Sequence, residues 1–316
     1  MSQAFEIVII GGGPAGLTAG LYASRARMNV LLIEKAACGG QVLLTERIEN
    51  FPGFPEGVTG PDLSDWMLKQ AEHFNLKTRQ AEVKKIIKHD GKKAVFSLEI
   101  AESEPIEASC LIIATGARWN TLGVPGEKEL AGRGVSYCAT CDGPLFRGKD
   151  VVVVGGGDTA LEDSLFLTKF VNKVTIVHRR DRLRATKILQ ERAAASKKIE
   201  LCLNSVAMEI VGKERCEALK VKDVNTGKIR EVRASGVFVF IGITPNSELI
   251  KGIAETDELG YIVTDDNMKT SIEGLFACGD VRKKLLRQVI TAAGEGATAA
   301  FAAQHYIERL KGTEYI

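Results

Sequence analysis

The chain has 316 residues, enough for two domains of ordinary size, and its 45% hydrophobic and 26% charged content is that of a globular protein. A net charge of +2 offers nothing to a nucleic-acid backbone, and no apolar run approaches the length a bilayer requires, so neither a nucleic-acid partner nor a membrane segment is expected. Met1-Ser2-Gln3-Ala4 runs straight into a strand-like segment without the pattern of a secretory signal, which points to a cytoplasmic protein.

Residues 5–10 form an apolar run of strand type. Gly11-Gly12-Gly13-Pro14-Ala15-Gly16 follows, then an Ala-rich helical pattern over 17–25 and a second apolar run over 30–33 that ends at Glu34. Strand, G-x-G-x-x-G, helix, strand and acid in this order make a dinucleotide-binding fingerprint. Gly11 permits the tight turn, Gly13 lets the backbone approach a pyrophosphate, and Gly16 lets the helix pack on the strand, with the helix N-terminus facing the phosphates. Glu34, 23 residues after Gly11, stands where a carboxylate accepts hydrogen bonds from a ribose.

The Gly- and Pro-punctuated stretch from Cys38-Gly39-Gly40-Gln41 to Glu49-Asn50-Phe51-Pro52-Gly53 is long for a plain connection and reads as a binding loop. Gly60-Pro61-Asp62 opens an amphipathic helix over 63–74. Two or three strands are expected between 76 and 100, with Asp90-Gly91 as a hairpin turn. Leu111-Ile112-Ile113-Ala114-Thr115-Gly116 is a buried strand whose small-residue end suits close approach of backbone to a ligand.

Tyr137-Cys138-Ala139-Thr140-Cys141-Asp142-Gly143 holds two cysteines at C-x-x-C spacing with a carboxylate directly after them. Such a dithiol takes two electrons as its disulfide opens and returns them as it closes, and the carboxylate can exchange a proton with a leaving thiolate. Half of a zinc site and a permanent structural disulfide are the competing readings. Zinc asks for a second Cys or His pair, whereas the other five of the seven cysteines are scattered singly, so no metal is expected. Without a secretory signal, the redox reading is favoured over the structural one.

The pattern then repeats. Residues 151–154 are a strand, Gly155-Gly156-Gly157-Asp158-Thr159-Ala160 is a second fingerprint with Ala in the third slot, 161–170 read as helix and 174–177 as strand. The position 23 beyond Gly155 is His178, not an acid, and Arg179, Arg180 and Arg184 follow. A carboxylate would repel a ribose 2′-phosphate, whereas guanidinium groups bind one in fork geometry. The first site therefore suits an unphosphorylated adenosine ribose and the second suits NADPH; a solvated basic helix start is the plainer alternative for 178–184. Short alternating strands are expected over 200–232 with Asn225-Thr226-Gly227 as a turn, and a buried strand over 237–241. The chain thus carries two copies of one unit.

After Asn246 come a short strand over 261–263, a strand over 275–280 ending in Asp280, and a long Ala/Gly-rich helix from Arg287-Gln288 to about Leu310. These elements make too poor a core to stand alone and are expected to complete the first domain, leaving the second inserted into it. The fold class is α/β, with two Rossmann-like, three-layer ββα dinucleotide-binding domains: 1–117 with 247–316, and 118–246. The basic run Arg282-Lys283-Lys284 reads as a solvated surface or, less readily, as a steering patch for an acidic partner.

Two fingerprints, Cys138-Ala139-Thr140-Cys141-Asp142 between them, His178-Arg179-Arg180 with Arg184, and Cys278-Gly279-Asp280 with Arg287-Gln288 together resemble the low-molecular-weight, bacterial-type thioredoxin reductases over nearly the whole chain. The resemblance implies FAD on the first domain and NADPH on the second, with a thioredoxin-like protein as substrate and a homodimer as the assembly. It implies FAD contacts from Gly11, Gly13, Gly16, Glu34, Gly40, Gln41 and Asn50, and from Val83, Thr115, Gly116, Asp280, Arg287, Gln288 and Val289. NADPH would be held by Gly155, Gly157, Asp158, Thr159, His178, Arg179, Arg180 and Arg184. Cys141 would exchange electrons with the flavin, Cys138 would attack the substrate disulfide, and Asp142 would be their acid–base partner. Because the dithiol and the NADPH site share one domain, rotation about the linkers near Ala117 and Asn246 would bring each to the flavin in turn. A flavin reductase serving a peroxiredoxin- or glutaredoxin-like acceptor, and a dinucleotide-binding redox sensor without turnover, are the alternatives. Cys278 reads as a buried small residue.

Overall fold

The computed structural model describes residues 3–45, 47–89 and 96–313. The expected turn at Asp90-Gly91 lies outside the described residues. In chain order the elements are β1 (Gln3–Ile10), α1 (Pro14–Arg25), β2 (Val30–Glu34), α2 (Gly60–His73), β3 (Lys77–Gln80), β4 (Val83–Lys88), β5 (Phe96–Ile100), β6 (Ile106–Ile113) and β7 (Ala117–Trp119). Then come β8 (Val135–Ser136), α3 (Ala139–Asp142), β9 (Asp150–Gly155), α4 (Asp158–Leu167), β10 (Lys173–Val177), α5 (Lys187–Ala195), β11 (Ile199–Cys202), β12 (Ser205–Val211), β13 (Ala218–Asp223), β14 (Ile229–Arg233) and β15 (Gly236–Phe240). The chain closes with β16 (Ile243–Pro245), β17 (Leu275–Ala277) and α6 (Val289–Lys311).

The chain divides into two compact units. One comprises Met1–Thr45, Phe51–Arg118 and Thr244–Ile316; the other comprises Glu46–Asn50 and Trp119–Ile243.

In the first unit β3, β2, β1, β6 and β17 lie side by side and parallel. β6 is long enough to take two partners along one edge. Its start pairs antiparallel with β5, Ile106 opposite Leu98, and its end pairs with β17, Ile113 opposite Ala277. The apolar ends of β1 (7–10) and β6 (110–113) are unbroken because both faces of the parallel sheet are covered there. Ile7, Ile9 and Ile112 pack under α1 and α6, while Val8, Leu111 and Ile113 pack against Ile86, Phe96 and Leu98 of the β4–β5 layer. Full burial of each such side chain is worth roughly 1.5–3 kcal/mol. The C-terminal elements thus complete the first core: β17 extends its sheet, and α6 lies along α1, where a Cβ on Gly296 would stand 2.2 Å from the Ala15 carbonyl oxygen.

The second unit repeats the plan. β11, β10, β9, β15 and β8 form a parallel sheet. Val151, Val153 and Ile176 pack against the helical side with Leu161, Leu167 and Leu189, and Val152, Val154 and Val177 pack against Ile210, Leu219 and Val221 of the antiparallel β12–β14 meander. β7 and β16, the two chain crossings, pair with each other.

Several expectations shift. The fingerprint helices begin at Pro14 and Asp158, three residues before their apolar patterns, because the glycine loop leads directly into the first turn. The helix expected to reach residue 170 ends at Leu167. No strand forms over 261–263; Ile262 makes only isolated bridges to Thr256 and Arg282. Helix α5 follows the arginine run unannounced, its apolar side reduced to Leu189 and Ala193. The run Arg282-Lys283-Lys284 is not one surface. The Arg282 and Lys284 side chains are 12% and 6% exposed and both engage Glu295, at 2.9 and 3.3 Å, which leaves only Lys283 to solvent.

Candidate active site

Both glycine loops sit at the C-terminal edge of a parallel sheet, where strand carbonyls end and helix amides begin. Gly11 has φ +110°, and a Cβ on it would lie 2.3 Å from the Ala114 carbonyl oxygen; one on Gly16 would lie 1.9 Å from the Gly11 oxygen. Gly13 is different: a Cβ there would meet nothing within 4 Å. The second unit matches, with Gly155 and Ala160 packed tightly on each other and Gly157 facing open space. Neither α1 nor α4 has a side-chain cap at its first turn. In contrast, α2 is capped by Thr59 and α6 by Gln288 and Thr291. The fingerprint helices therefore keep unpaired amide donors beside open backbone, a fit for a pyrophosphate.

The residue 22 positions after the middle glycine packs on that glycine in both units. Glu34 Oε2 accepts the Gly12 amide at 2.7 Å and Oε1 accepts that of Ala36 at 3.0 Å. In the other unit the His178 ring lies against Gly156, where a Cβ would stand 2.3 Å from Nδ1. His178 is 7% exposed and its Nε2 has no hydrogen-bond partner. Burial, and then the charges of Arg184, Arg180 and Arg179, push its pKa down, so the ring is neutral near pH 7. Arg179, Arg180 and Arg184 are exposed; the Arg184 and Ala185 amides donate to the Gly156 carbonyl at 2.7 and 3.1 Å, which folds the arginine loop back onto the glycines. Asp158 Oδ1 accepts the Thr186 amide at 2.6 Å, and Thr159 beside it is exposed.

Around the first glycine loop the chain brings together most of the residues singled out by sequence. The Gly39 amide donates to the Gly12 carbonyl at 2.7 Å, and a Cβ on Gly40 would stand 3.3 Å from Gly13 Cα. Gln41 Nε2 donates to the Ala117 carbonyl. Thr115 Oγ1 donates to the Asn246 carbonyl at 2.6 Å, and Gly116, at φ +68°, faces open space. Gly279 abuts Ala15 at the start of α1 and so sets Asp280 beside that helix. Burial raises the Asp280 pKa, and Lys284, 3.3 Å from Oδ1, opposes the rise. Apart from that ion pair, Asp280 Oδ1 and Arg287 Nε are both buried without hydrogen-bond partners. An acceptor and a donor awaiting partners beside an uncapped helix fit a polyhydroxylated cofactor. Arg287 lies over the Tyr261 ring at 4.2 Å, and Gln288 and Val289 open α6. Val83 is buried in β4, and Asn50 is exposed in the short stretch grouped with the second unit.

Cys138 and Cys141 are joined as a disulfide, with Cα atoms 5.3 Å apart. β8 delivers them: Ser136 is its last residue, and Cys138 caps the single turn of α3. The Cys141 amide donates to Cys138 Sγ at 3.2 Å, so a hydrogen-bond donor already faces the sulfur on which a thiolate would form. Asp142 Oδ2 accepts from Ser136 Oγ at 2.6 Å. Sequence reasoning missed two residues here. Ser136 touches both Asp142 and the backbone of Cys138. Glu127, 2% exposed, accepts the amides of Leu122 and Gly123 at 2.9 and 2.8 Å and the Tyr137 hydroxyl at 2.9 Å. Burial and this carboxylate raise the Tyr137 pKa. A buried acid looks like any surface acid in sequence, so Glu127 carried no signal. Cys278 is fully buried, as expected, and burial pushes its thiol up to about 12. Among the described residues no cluster of metal-ligating groups occurs and no helix is long and apolar enough to cross a membrane.

Comparison with known proteins places this arrangement. Residues 5–296 match the family described as Pyridine nucleotide-disulphide oxidoreductase. The thioredoxin reductase of Bacillus subtilis strain 168 is 47% identical over 310 residues, 98% of this chain and 96% of that protein. The crystal structure of thioredoxin reductase from Streptococcus pyogenes MGAS5005 is 44% identical, with a TM-score of 0.93 over 98% of this chain and 100% of its own. Lactococcus lactis thioredoxin reductase in the FR conformation is 43% identical, with a TM-score of 0.65 over 96% of this chain and 99% of its own. With both fingerprints, the disulfide between them and these relatives in view, the chain belongs to the pyridine nucleotide-disulphide oxidoreductases and, among them, to the bacterial-type thioredoxin reductases.

Proposed function

We infer that the protein reduces the disulfide of a thioredoxin with electrons from NADPH, by way of FAD and the Cys138–Cys141 pair. The observation that carries this reading is a C-x-x-C disulfide with a carboxylate directly behind it, on the same unit as the arginine-bearing fingerprint. FAD belongs to the first unit, taken as 1–117 and 247–316. There Gly11, Gly13 and Gly16 shape the pyrophosphate turn, Glu34 faces the adenosine ribose, and Asp280 and Arg287 offer the buried acceptor and donor described above. Gly40, Gln41, Asn50, Val83, Thr115, Gly116, Gln288 and Val289 complete that site. NADPH belongs to the second unit, 118–246, on Gly155, Gly157, Asp158 and Thr159. Arg179, Arg180 and Arg184 hold the 2′-phosphate, and neutral His178 packs beneath.

When bound, the two cofactors supply the electron chemistry, a hydride from the nicotinamide and an electron pair for the disulfide. The chain supplies the sulfur chemistry. With the pair reduced, Cys138 Sγ attacks one sulfur of the substrate disulfide and the other substrate sulfur leaves as a thiolate. Cys141 Sγ then attacks Cys138 Sγ, releases the second substrate thiolate and closes the intramolecular disulfide. Asp142 takes and returns the proton of the sulfurs. The two units reorient between these stages. One relative, the Lactococcus lactis thioredoxin reductase, is described in a named conformation, the FR conformation, which supports more than one arrangement within the family.

The enzyme acts as a homodimer in the cytoplasm, where Cys38, Cys110, Cys202, Cys216 and Cys278 stay as free thiols. The test is anaerobic reduction of the purified protein by NADPH, followed by addition of thioredoxin while the flavin spectrum is watched. Bleaching by NADPH and recovery on adding thioredoxin are expected. A protein that binds no flavin, or one that bleaches but does not recover, would defeat this assignment.

A further inference from the structure

Ser136 ends β8, 3% exposed, its backbone in register with Phe238 of β15. Its oxygen stands at the centre of three contacts: 2.6 Å from Asp142 Oδ2, 3.1 Å from the Cys138 amide nitrogen and 3.3 Å from the Cys138 carbonyl oxygen. A hydroxyl has one proton to give. The carboxylate contact is the shortest and is charge-assisted, so the proton goes to Asp142, and the lone pair left over accepts the Cys138 amide. The direction of the chain is then fixed: Cys138 N–H to Ser136 O–H to the Asp142 carboxylate.

We propose that Ser136 is a positioning residue for the disulfide chemistry, its hydroxyl tying the Asp142 carboxylate to the backbone of the attacking cysteine. The proposal rests on the reading of Asp142 as proton partner of the sulfur pair. Asp142 is the last residue of a four-residue helical turn, and its amide donates to the Cys138 carbonyl at 3.1 Å. So short a turn holds a side chain loosely, and a proton transfer needs its two heavy atoms within hydrogen-bond reach. The Ser136 bond supplies the anchor from a buried strand. The proton then passes from the Cys138 thiol to the held carboxylate as the sulfur's electron pair forms the bond to the substrate sulfur. The substrate's other sulfur leaves with the electrons of the broken S–S bond. An alanine would remove one donor to Asp142 and the hydroxyl that accepts the Cys138 amide in one change.

The experiment is a double-mutant cycle on the full-length flavoprotein with thioredoxin as substrate. Ser136→Ala is expected to lower thioredoxin reduction by about 10-fold or more while NADPH still reduces the flavin at the wild-type rate. Ser136→Thr, which keeps the hydroxyl, is expected to restore most of the loss. In an Asp142→Asn background Ser136→Ala is expected to add less than about 2-fold, because the two residues act as one device. A Ser136→Ala enzyme with wild-type thioredoxin reduction overturns the proposal. So does a loss that adds in full to that of Asp142→Asn, or one that strikes flavin reduction equally. If Asp142→Asn by itself keeps wild-type turnover, the reading of Asp142 fails instead and the proposal falls with it.

Discussion

Glu34 and His178 occupy the same place in two copies of one unit, and their chemistry separates the copies. Glu34 is a carboxylate held by two backbone amides, which places a negative charge beside the first glycine loop. His178 brings no charge, because burial and three arginines keep it neutral, so in the proposed NADPH site recognition of a 2′-phosphate falls to the exposed guanidiniums. Arg179→Ala and Arg180→Ala should therefore each raise KM for NADPH by about 10-fold while leaving that for NADH within about 2-fold, in steady-state assays with both nucleotides. Cys138→Ser should leave flavin reduction by NADPH intact and abolish thioredoxin reduction, read in separate half-reactions. Asp163 gives a pH test of stability. Burial, and then Glu162, raise its pKa to about 6, against 3.8 for the free side chain. A folded-state pKa above the unfolded one gives stability that is full below pH 3.8 and lost as pH rises through about 6. Asp163→Asn should thus raise Tm by a few degrees at pH 7.5 and change it little at pH 4, in thermal unfolding at the two pH values.

Helices α1 and α6 pack closely enough to exclude a methyl group. An alanine at Gly296 would bring Cβ to 2.2 Å from the Ala15 carbonyl oxygen, and both helices are long enough that neither can yield locally. Just before α6, the connection from β17 is pinned by Glu295, which accepts the Gly279 amide at 2.8 Å and pairs with Arg282 and Lys284. Lys284 reaches on to Asp280. Two cations and two anions thus balance around a connection that carries a proposed flavin contact. Removing one member strands a largely buried opposite charge. Glu295→Ala is expected to cost about 3 kcal/mol and to speed flavin loss, whereas Glu295→Gln, which keeps an acceptor for the Gly279 amide, should cost less. Thermal unfolding and flavin fluorescence on dilution would measure both; equal behaviour of the two variants would remove the charge argument.

The chain leaves the first unit at β7 and returns at β16, and Thr115, Arg118 and Asn246 tie the two crossings together. Asn246 Nδ2 donates to the Thr115 carbonyl at 2.8 Å, and Arg118 reaches Asn246 Oδ1 at 2.6 Å and Glu248 at 2.8 Å. A paired crossing of this kind lets an inserted unit turn about one short segment instead of two separate ones. Covalently cross-linking the units should therefore spare one half-reaction and stop turnover. Cross-linked enzyme that reduced thioredoxin at the normal rate would rule out reorientation.

Much of the fold and site was written in local pattern. Both fingerprints, the apolar parallel strands and the C-x-x-C-Asp string are contiguous segments, and their spacing alone pointed to two dinucleotide units with a dithiol between them. The union of residues beyond Asn246 with the first unit was also legible, since that stretch lacked the apolar residues for its own core. Long-range pairing decided the rest. Arg282 and Lys284 of the basic run are drawn in because Glu295, eleven or more residues on, folds back onto them, while Lys283 between them stays exposed. Residues 261–263 look like a strand but find no ladder to join. Ser136 and Glu127 are ordinary polar residues in the string, and they become parts of the redox site only when the β8–α3 turn closes on them. Apolar periodicity records which face of an element is buried. It does not record which polar atoms meet once the elements are packed, because a hydrogen bond between distant residues leaves no periodic trace.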